Sequence, residues 1–407
     1  MIARKIYMEK IRLFMGKPVV KVITGMRRSG KSVILKLLRE EFLKNKVSDE
    51  NIVYLDFESM STVPLANADE LYSYVINKAT HKNKKRLVLM LDEIQQIQGW
   101  EKVIGSLRID INCDIYITGS NSGLLSADIA AALAGRFVQI RIHTLSFAEH
   151  LDFTAGMGED HGKDRNRQFA DFLRFGGLPG IHEMNINTDA VYPYLLDIYN
   201  SVLLKDVISR YRIRDIELLE RTIHFLMHNV GNIFSAKRIS DFLKNQNRRL
   251  SVETIYNYLD ALESAFLIHK VSRWDIKGKR VLETLEKYYF EDFGIKNAIL
   301  GYSEDSISGL LENVVYLELR RRGYEIYVGQ GVNYEIDFIA VRRDETVYFQ
   351  VTYLLASPET IEREFSPLLS VNDNFPKYVL SLDEVNFSRK GIIHRNIRDW
   401  LLGEKRA

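Results

Sequence analysis

The sequence predicts an α/β protein of several domains, opening on a parallel sheet with helices on both faces. Three observations lead there. Up to about residue 145, short apolar runs alternate with amphipathic stretches, the pattern of strands joined by crossover helices. From about 165 to 270 the apolar residues recur at helical spacing, and from about 281 onward strand-like runs return. At 407 residues the chain is too long for one ordinary domain. The expected division is a sheet domain over residues 1–150, a helical lid over 151–215, a small helical module over 216–280 and a mixed α/β domain over 281–407.

In the first part the expected strands run from Val19 to Thr24, Ile52 to Phe57, Leu87 to Leu91, Ile115 to Thr118 and Phe137 to Ile142. After the first of them, Val33, Ile34, Leu37, Leu38 and Phe42 fall at helical spacing and predict one buried stripe. The polar stretch from Thr154 to Asp164 carries neither period and reads as a surface loop. In the C-terminal part, strands are expected around Tyr288-Tyr289-Phe290, Glu325 to Val328, Tyr334 to Val341 and Val347 to Tyr353.

Composition narrows the function. Hydrophobic residues make up 46% and charged residues 27%, the range of folded globular chains rather than disordered ones. Lys and Arg number 56 against 54 Asp and Glu, so any nucleic-acid surface has to be local. Cys113 is the sole cysteine, which rules out a disulfide or a cysteine zinc cluster within one chain and fits a reducing cytoplasm. No apolar run approaches the ~20 residues that span a bilayer, and the charged opening is unlike a signal peptide. A cytoplasmic protein without membrane contact is the expectation.

Between the first strand and the first long helix stands Gly25-Met26-Arg27-Arg28-Ser29-Gly30-Lys31-Ser32, followed by Val33. Glycines at this spacing let the backbone curl so that successive N–H groups face a phosphate at the positive end of a helix. Lys31 would reach the β and γ phosphates of ATP, and Ser32 would ligate Mg²⁺. Such a loop calls for a second element, an apolar strand ending in an acid. Leu87-Val88-Leu89-Met90-Leu91-Asp92-Glu93 supplies it, with Asp92 on the metal side and Glu93 as general base. The next strand runs into Gly119-Ser120-Asn121-Ser122, which puts small polar groups at the carboxyl edge of the sheet, where Ser120 or Asn121 can sense the γ-phosphate. Arg136, just before the fifth strand and after an expected helix, is placed to enter a neighbouring subunit's site; as a surface arginine it would instead complement the helix dipole.

The order Gly-x-x-x-x-Gly-Lys-Ser, Leu-Asp-Glu-Ile-Gln, Ile-Thr-Gly-Ser-Asn-Ser, Leu-Ala-Gly-Arg-Phe and Leu-Ser-Phe-Ala-Glu resembles prokaryotic AAA+ superfamily ATPases that carry a C-terminal domain of unknown function. The likeness continues through Phe172 to Pro179, Lys287 to Asp292 and Glu335 to Phe338. Gly177-Leu178-Pro179 is similar to the Gly-x-Pro signature of the lid in signal-transduction ATPases, which implies that Pro179 packs near the adenine. The resemblance also implies a homo-oligomer with Arg136 acting in trans.

Farther along, Ser235 to Leu243 and Ser251 to Leu259 read as two short helices, the second N-capped by Ser251 and buried along Ile255, Tyr258, Leu259, Leu262 and Phe266. With a hairpin expected over Val271 to Val281, they resemble a winged helix-turn-helix, a module that offers its second helix to DNA. Lys237, Arg238, Arg248, Arg249, Lys277, Lys279 and Arg280 suit phosphate, whereas Glu253, Asp260 and Glu263 oppose it. The C-terminal part sets Glu312 on a helix, Asp337 on a strand and Gln350-Val351-Thr352 on the next, which resembles the restriction-endonuclease-like fold. That fold carries an acid where Gln350 stands and a lysine where Thr352 stands. A degenerate nuclease-like domain without its lysine is therefore expected, on a Mg-ATP-hydrolysing protein whose target is nucleic acid or, alternatively, a protein partner that it binds as an ATP-gated switch or scaffold.

Overall fold

The computed structural model describes residues 2–65, 67–80, 86–125, 133, 135–158, 164–233, 235–245 and 251–404. The chain divides into two compact units, Met1–His143 with Ser264–Phe266, and Thr144–Glu263 with Leu267–Ala407.

In the first unit, five strands form a parallel sheet: β1 (Val20–Thr24), β2 (Ile52–Asp56), β3 (Leu87–Asp92), β4 (Cys113–Gly119) and β5 (Phe137–Arg141), in the order β2-β3-β4-β1-β5. Strands β1 and β3 are buried at every position, as central strands covered on both faces should be. Alternate residues feed two cores. Leu87, Leu89, Leu91, Val20 and Val22 meet Trp100, Ile104 and Leu107 on one face. On the other, Val88, Met90 and Ile23 meet Tyr7, Ile11, Ile34 and Leu38. Each such buried side chain contributes about 1.5–3 kcal/mol of transfer free energy. The helix Lys31–Lys44 buries Ile34, Leu35, Leu38 and Phe42. Val33, expected in that stripe, is 39% exposed; Leu35 takes its place because the buried face is turned by one position.

The second unit holds a seven-stranded sheet formed by β6 (Ile268–Asp275), β7 (Arg280–Phe290), β8 (Glu325–Gln330), β9 (Glu335–Arg342), β10 (Glu345–Val351), β11 (Lys377–Ser381) and β12 (Ile393–Asn396). Their order is β12-β11-β10-β9-β8-β6-β7. Three expectations change here. The stretch from Thr154 is helical as far as Gly156, because a capping box between Ser146 and Glu149 starts the helix Phe147–Gly156; residues 159–163 lie outside the described residues. The expected wing is the β6–β7 hairpin, and β6 also pairs with β8. A domain boundary at 280 would therefore cut a strand pair that belongs to the large sheet. Helices Ile216–His228, Ala236–Asn245 and Val252–Ser264 precede that hairpin, the last started by Ser251 Oγ accepting from Thr254 N at 3.1 Å. Arg248 and Arg249, offered as phosphate contacts, lie outside the described residues, as does most of the helix expected before Gly135. Among the described residues no helix is long and apolar enough to cross a membrane.

Candidate nucleotide site

The loop from Gly25 to Ser32 leaves the carboxyl end of β1 and enters the helix at Lys31, with Gly30 as its N-cap at φ +100°. Gly25 has to be glycine: a Cβ there would come within 2.3 Å of the Ile142 carbonyl oxygen. No side chain caps the Lys31–Lys44 helix, so its first N–H groups remain for a ligand. Ser29 Oγ is buried without a hydrogen-bond partner, a vacancy that fits a polar guest. Lys31, 4% exposed, bends back on its own loop. Its Nζ donates to Gly25 O at 3.0 Å and Met26 O at 3.2 Å, and stands 3.3 Å from Glu93 Oε1. Arg27 reaches Glu58 at 2.6 Å.

Asp92 is fully buried at the end of β3. Thr118 Oγ1 donates to its Oδ1, Tyr54 OH donates to Oδ2 at 3.1 Å, and the Ser32 hydroxyl bonds it as well. Burial is the largest influence on this carboxyl and pushes it above its usual range, against those donors. Glu93 follows in a left-handed conformation, φ +53°, its N–H donating to Thr118 Oγ1 at 2.9 Å. One threonine thus fixes both acids. Burial raises the Glu93 carboxyl, but the Lys31 ammonium, the Gln95 amide and Arg27 outweigh it and hold Glu93 below the usual range, as an anion.

Ser120 and Asn121 are buried at the end of β4, beside this pair in the sheet order. Gln95 Nε2 joins Glu93 to Ser120, 3.5 Å from its Oγ. Asn121 Oδ1 accepts from Gly123 N at 2.6 Å, while Asn121 Nδ2 is buried with no partner. The structure thus brings Gly25, Ser29, Lys31, Ser32, Asp92, Glu93, Ser120 and Asn121 to one edge. Val33 is exposed on the helix beyond them. Arg136 is not among them: its carbonyl accepts from Val20 N, at the opposite end of β1, about 15 Å of strand away. Pro179 lies in the second unit, where it begins the 3-10 helix Pro179–Met184.

The sequence assigns no role to Tyr54, Thr118 or Gln95, although Gln95 and Thr118 stand in the Leu-Asp-Glu-Ile-Gln and Ile-Thr-Gly-Ser-Asn-Ser motifs. With β3 and β4 adjacent and parallel, the residue after Ile117 faces the end of the Leu91-Asp92 pair.

The C-terminal carboxylates do meet, and a lysine stands among them. Lys287 of β7, 2% exposed, has Nζ 2.7 Å from Glu335 Oε1, 3.4 Å from Glu312 Oε2 and 3.5 Å from Asp337 Oδ1. The expectation of a cluster without a lysine is corrected: the cation arrives from another strand. Asp337 also accepts from Val351 N at 2.8 Å, and Gln350 accepts from Asp337 N at 3.3 Å. Burial is the largest influence on Glu312 and Asp337 and pushes them up to about 8 and about 6, so the cluster retains a proton at neutral pH while Lys287 stays charged.

A phosphate loop, a strand-end acid pair and the sheet order β2-β3-β4-β1-β5 define the first unit as an ATP-binding domain of the P-loop class. Residues 17–151 match the AAA domain family, and residues 166–306 match a domain of unknown function, DUF8612. An uncharacterized protein of Haemophilus influenzae is 35% identical over 405 residues, 99% of this chain and 99% of its own. An uncharacterized protein of Methanocaldococcus jannaschii is 32% identical over 358 residues, covering 85% of this chain and 77% of its own. The chain belongs to one family with these two proteins, and within it residues 17–151 carry the match to the AAA domain. Among solved structures, the Walker-type ATPase of Pyrococcus abyssi is 14% identical, with a TM-score of 0.48 over 74% of this chain and 96% of that one.

Proposed function

We propose that this protein is a Mg-dependent ATPase of the AAA+ type that couples hydrolysis to a conformational change. The observation that carries the reading is the grouping of Lys31, Glu93 and Asp92 around Thr118, with unpartnered Ser29 Oγ and Asn121 Nδ2 at the same edge. Ser32 and Asp92 are the residues that would hold Mg²⁺, which neutralises phosphate charge during transfer. Lys31, now held by two loop carbonyls, has a better partner in a phosphate. Its departure loosens Glu93, an anionic carboxylate able to take the proton of an attacking water. Asn121 has a free amide to orient that water or the γ-phosphate. Arg136, remote from its own chain's loop, would complete a neighbour's site. Steady-state ATP hydrolysis with Lys31→Ala as the blank tests the first part: wild-type turnover no faster than the blank removes the ATPase reading. Mixing Arg136→Ala with Lys31→Ala subunits tests the second, since a shared site recovers some turnover in the mixture and an unshared one recovers none.

Nucleic acid is the target we favour, through exposed Lys237, Arg238, Lys277, Lys279 and Arg280. A protein partner bound by an ATP-gated switch is the second reading, because the helix Val252–Ser264 turns exposed Glu253 and Asp260 outward. DNA that accelerates turnover and binds in a salt-sensitive way supports the first; turnover blind to DNA supports the second. The cluster around Lys287 reads as a nuclease-like centre whose ammonium takes the charge role of a divalent ion. Cutting of DNA with Mg²⁺ or Mn²⁺ that disappears in Asp337→Ala would refute that.

A further inference from the structure

A cavity lies wholly within the second unit. It has a volume of about 480 Å³ and is bounded by the loop after Ile216–His228 and by the helices Phe293–Leu300 and Ile307–Arg321. Lys296 lines it, 95% buried by its exposure of 5%, and makes no hydrogen bond or ion pair among the described residues. An ammonium left with so little water and no counter-charge is costly, and burial alone pulls this amine down to about 8. It remains largely protonated at neutral pH. The cavity therefore contains a cation with nothing to neutralise it.

The same cavity meets the start of the fifteen-residue helix Ile307–Arg321, at Ser306, Ser308 and Gly309. Ser306 occupies the N-cap position, yet its hydroxyl turns away and donates to Ser303 O at 2.8 Å, and no side chain caps the helix. The Ile307 N–H is taken by Glu304 O, and the rest of the positive end of the dipole faces the lysine's cavity at Ser308 and Gly309. Gly309 keeps this turn tight against its wall, since a Cβ there would come within 2.8 Å of the Val230 carbonyl oxygen. His228 and Asn232 add exposed donors at the rim. Two acids also border the space. Asp305 is exposed and bonds no lysine, and the Glu312 carboxyl is already engaged by Lys287 Nζ at 3.4 Å and by Tyr289 OH, which donates to it at 3.1 Å.

We infer that this cavity binds a terminal phosphate monoester, its oxygens taken by Lys296 and by the open N-terminus of the Ile307–Arg321 helix. A phosphate supplies the missing negative charge and acceptors for both donor sets at once. Neither the nucleotide loop nor its acids contribute, so the inference stands apart from the ATPase reading.

Site-resolved acetylation of the wild-type protein, read by mass spectrometry, tests it without altering the fold. Inorganic phosphate is one probe; an oligonucleotide carrying a 5′-phosphate, against the same one with a 5′-hydroxyl, is the other. Either phosphate should slow labelling of Lys296 while leaving exposed Lys390 unchanged, and the probe that protects at the lower concentration identifies the source as a small molecule or a strand end. Calorimetry with the same probes then compares Lys296→Arg and Lys296→Met in a Lys31→Ala background that silences the nucleotide loop. The methionine variant should lose about tenfold or more in affinity and the arginine variant should keep most of it. Labelling of Lys296 indifferent to both phosphates, or equal affinity in Lys296→Met, overturns the inference.

Discussion

Replacing Lys287 by methionine keeps most of the apolar stem and removes the ammonium with its N–H donors. In the folded protein that charge is 2% exposed and has three carboxylates within 3.5 Å. Without it, the negative charge that Glu312, Glu335 and Asp337 share is left without its cation, and among them Glu335 is the one most open to water. Breaking a buried ion pair by deleting one partner costs about 3–5 kcal/mol. For a unit of this size each kcal/mol lowers Tm by about 2–4 °C, so a fall of roughly 6–20 °C is expected. Thermal unfolding followed by circular dichroism measures it. Two companions give the cause away. Adding Glu335→Gln should restore part of the loss, and Mn²⁺ should raise Tm in Lys287→Met but not in the wild type, because vacated carboxylates suit a hard cation. Arg342, paired at 2.8 Å with Glu345 and with both side chains 45% exposed, is the control. Exposed pairs are worth about 0–1 kcal/mol. If Lys287→Met costs no more than Arg342→Met, the cluster is not held by its lysine and the electrostatic reasoning fails.

Three further outcomes follow from the nucleotide site and the second unit's core. Glu93→Gln should bind ATP with nearly wild-type affinity and turn it over about 10²–10⁴-fold more slowly, measured by phosphate release; a change in affinity alone would deny Glu93 its role as base. Gly25→Ala should abolish ATP binding in a fluorescent-nucleotide titration, because its Cβ would stand 2.3 Å from the Ile142 carbonyl oxygen. His182 is buried with neither ring nitrogen bonded, and burial pulls it down to about 4. Its folded value lies below the unfolded one of about 6.5, so stability is full above that pH and declines as the pH falls toward 4, by about 3 kcal/mol. Denaturant unfolding of His182→Phe between pH 7 and pH 4 should show a flatter acid limb than wild type; an identical slope would assign the acid sensitivity elsewhere.

What the sequence disclosed depended on how local each signal was. The central strand β3 was legible because a buried strand is a continuous apolar run, the edge strands β2 and β5 because apolar residues recur in short runs between turns, and the phosphate loop because its chemistry needs neighbouring residues at fixed spacing. Lys21 looks out of place in β1 for the same reason, yet it is fully buried against Asp114, whose other oxygen accepts from Gly16 N at 2.8 Å. Nothing in residues 20–24 announces a partner 93 positions away. Lys287 escaped in the same manner. The expected lysine was sought two residues after an acid on the strand following Asp337, whereas the cation comes from β7, separated from β9 by β6 and β8 in the sheet order. Strand adjacency had to be known first.

The Gly-Gly-Leu-Pro turn shows how one motif can serve packing. Gly177 N–H donates to Asp292 Oδ2 at 2.8 Å, and Asp292 Oδ1 accepts from Ile295 N to cap the helix Phe293–Leu300. Asn297 on that helix returns two bonds, its Nδ2 donating to Leu173 O and Arg174 O at 2.9 Å each. Two stretches more than a hundred residues apart, each part of the resemblance to AAA+ proteins, thus form one joint in the second unit. Burial pushes the Asp292 carboxyl up to about 7 against these N–H donors, so the joint loosens if the acid is replaced rather than merely neutralised. Structural demand alone accounts for Gly177 and Asp292. Pro179, which only starts the next short helix, is the residue of that turn whose role the packing leaves open, and a nucleotide-binding titration of Pro179→Ala separates the two: unchanged affinity makes the whole turn architectural.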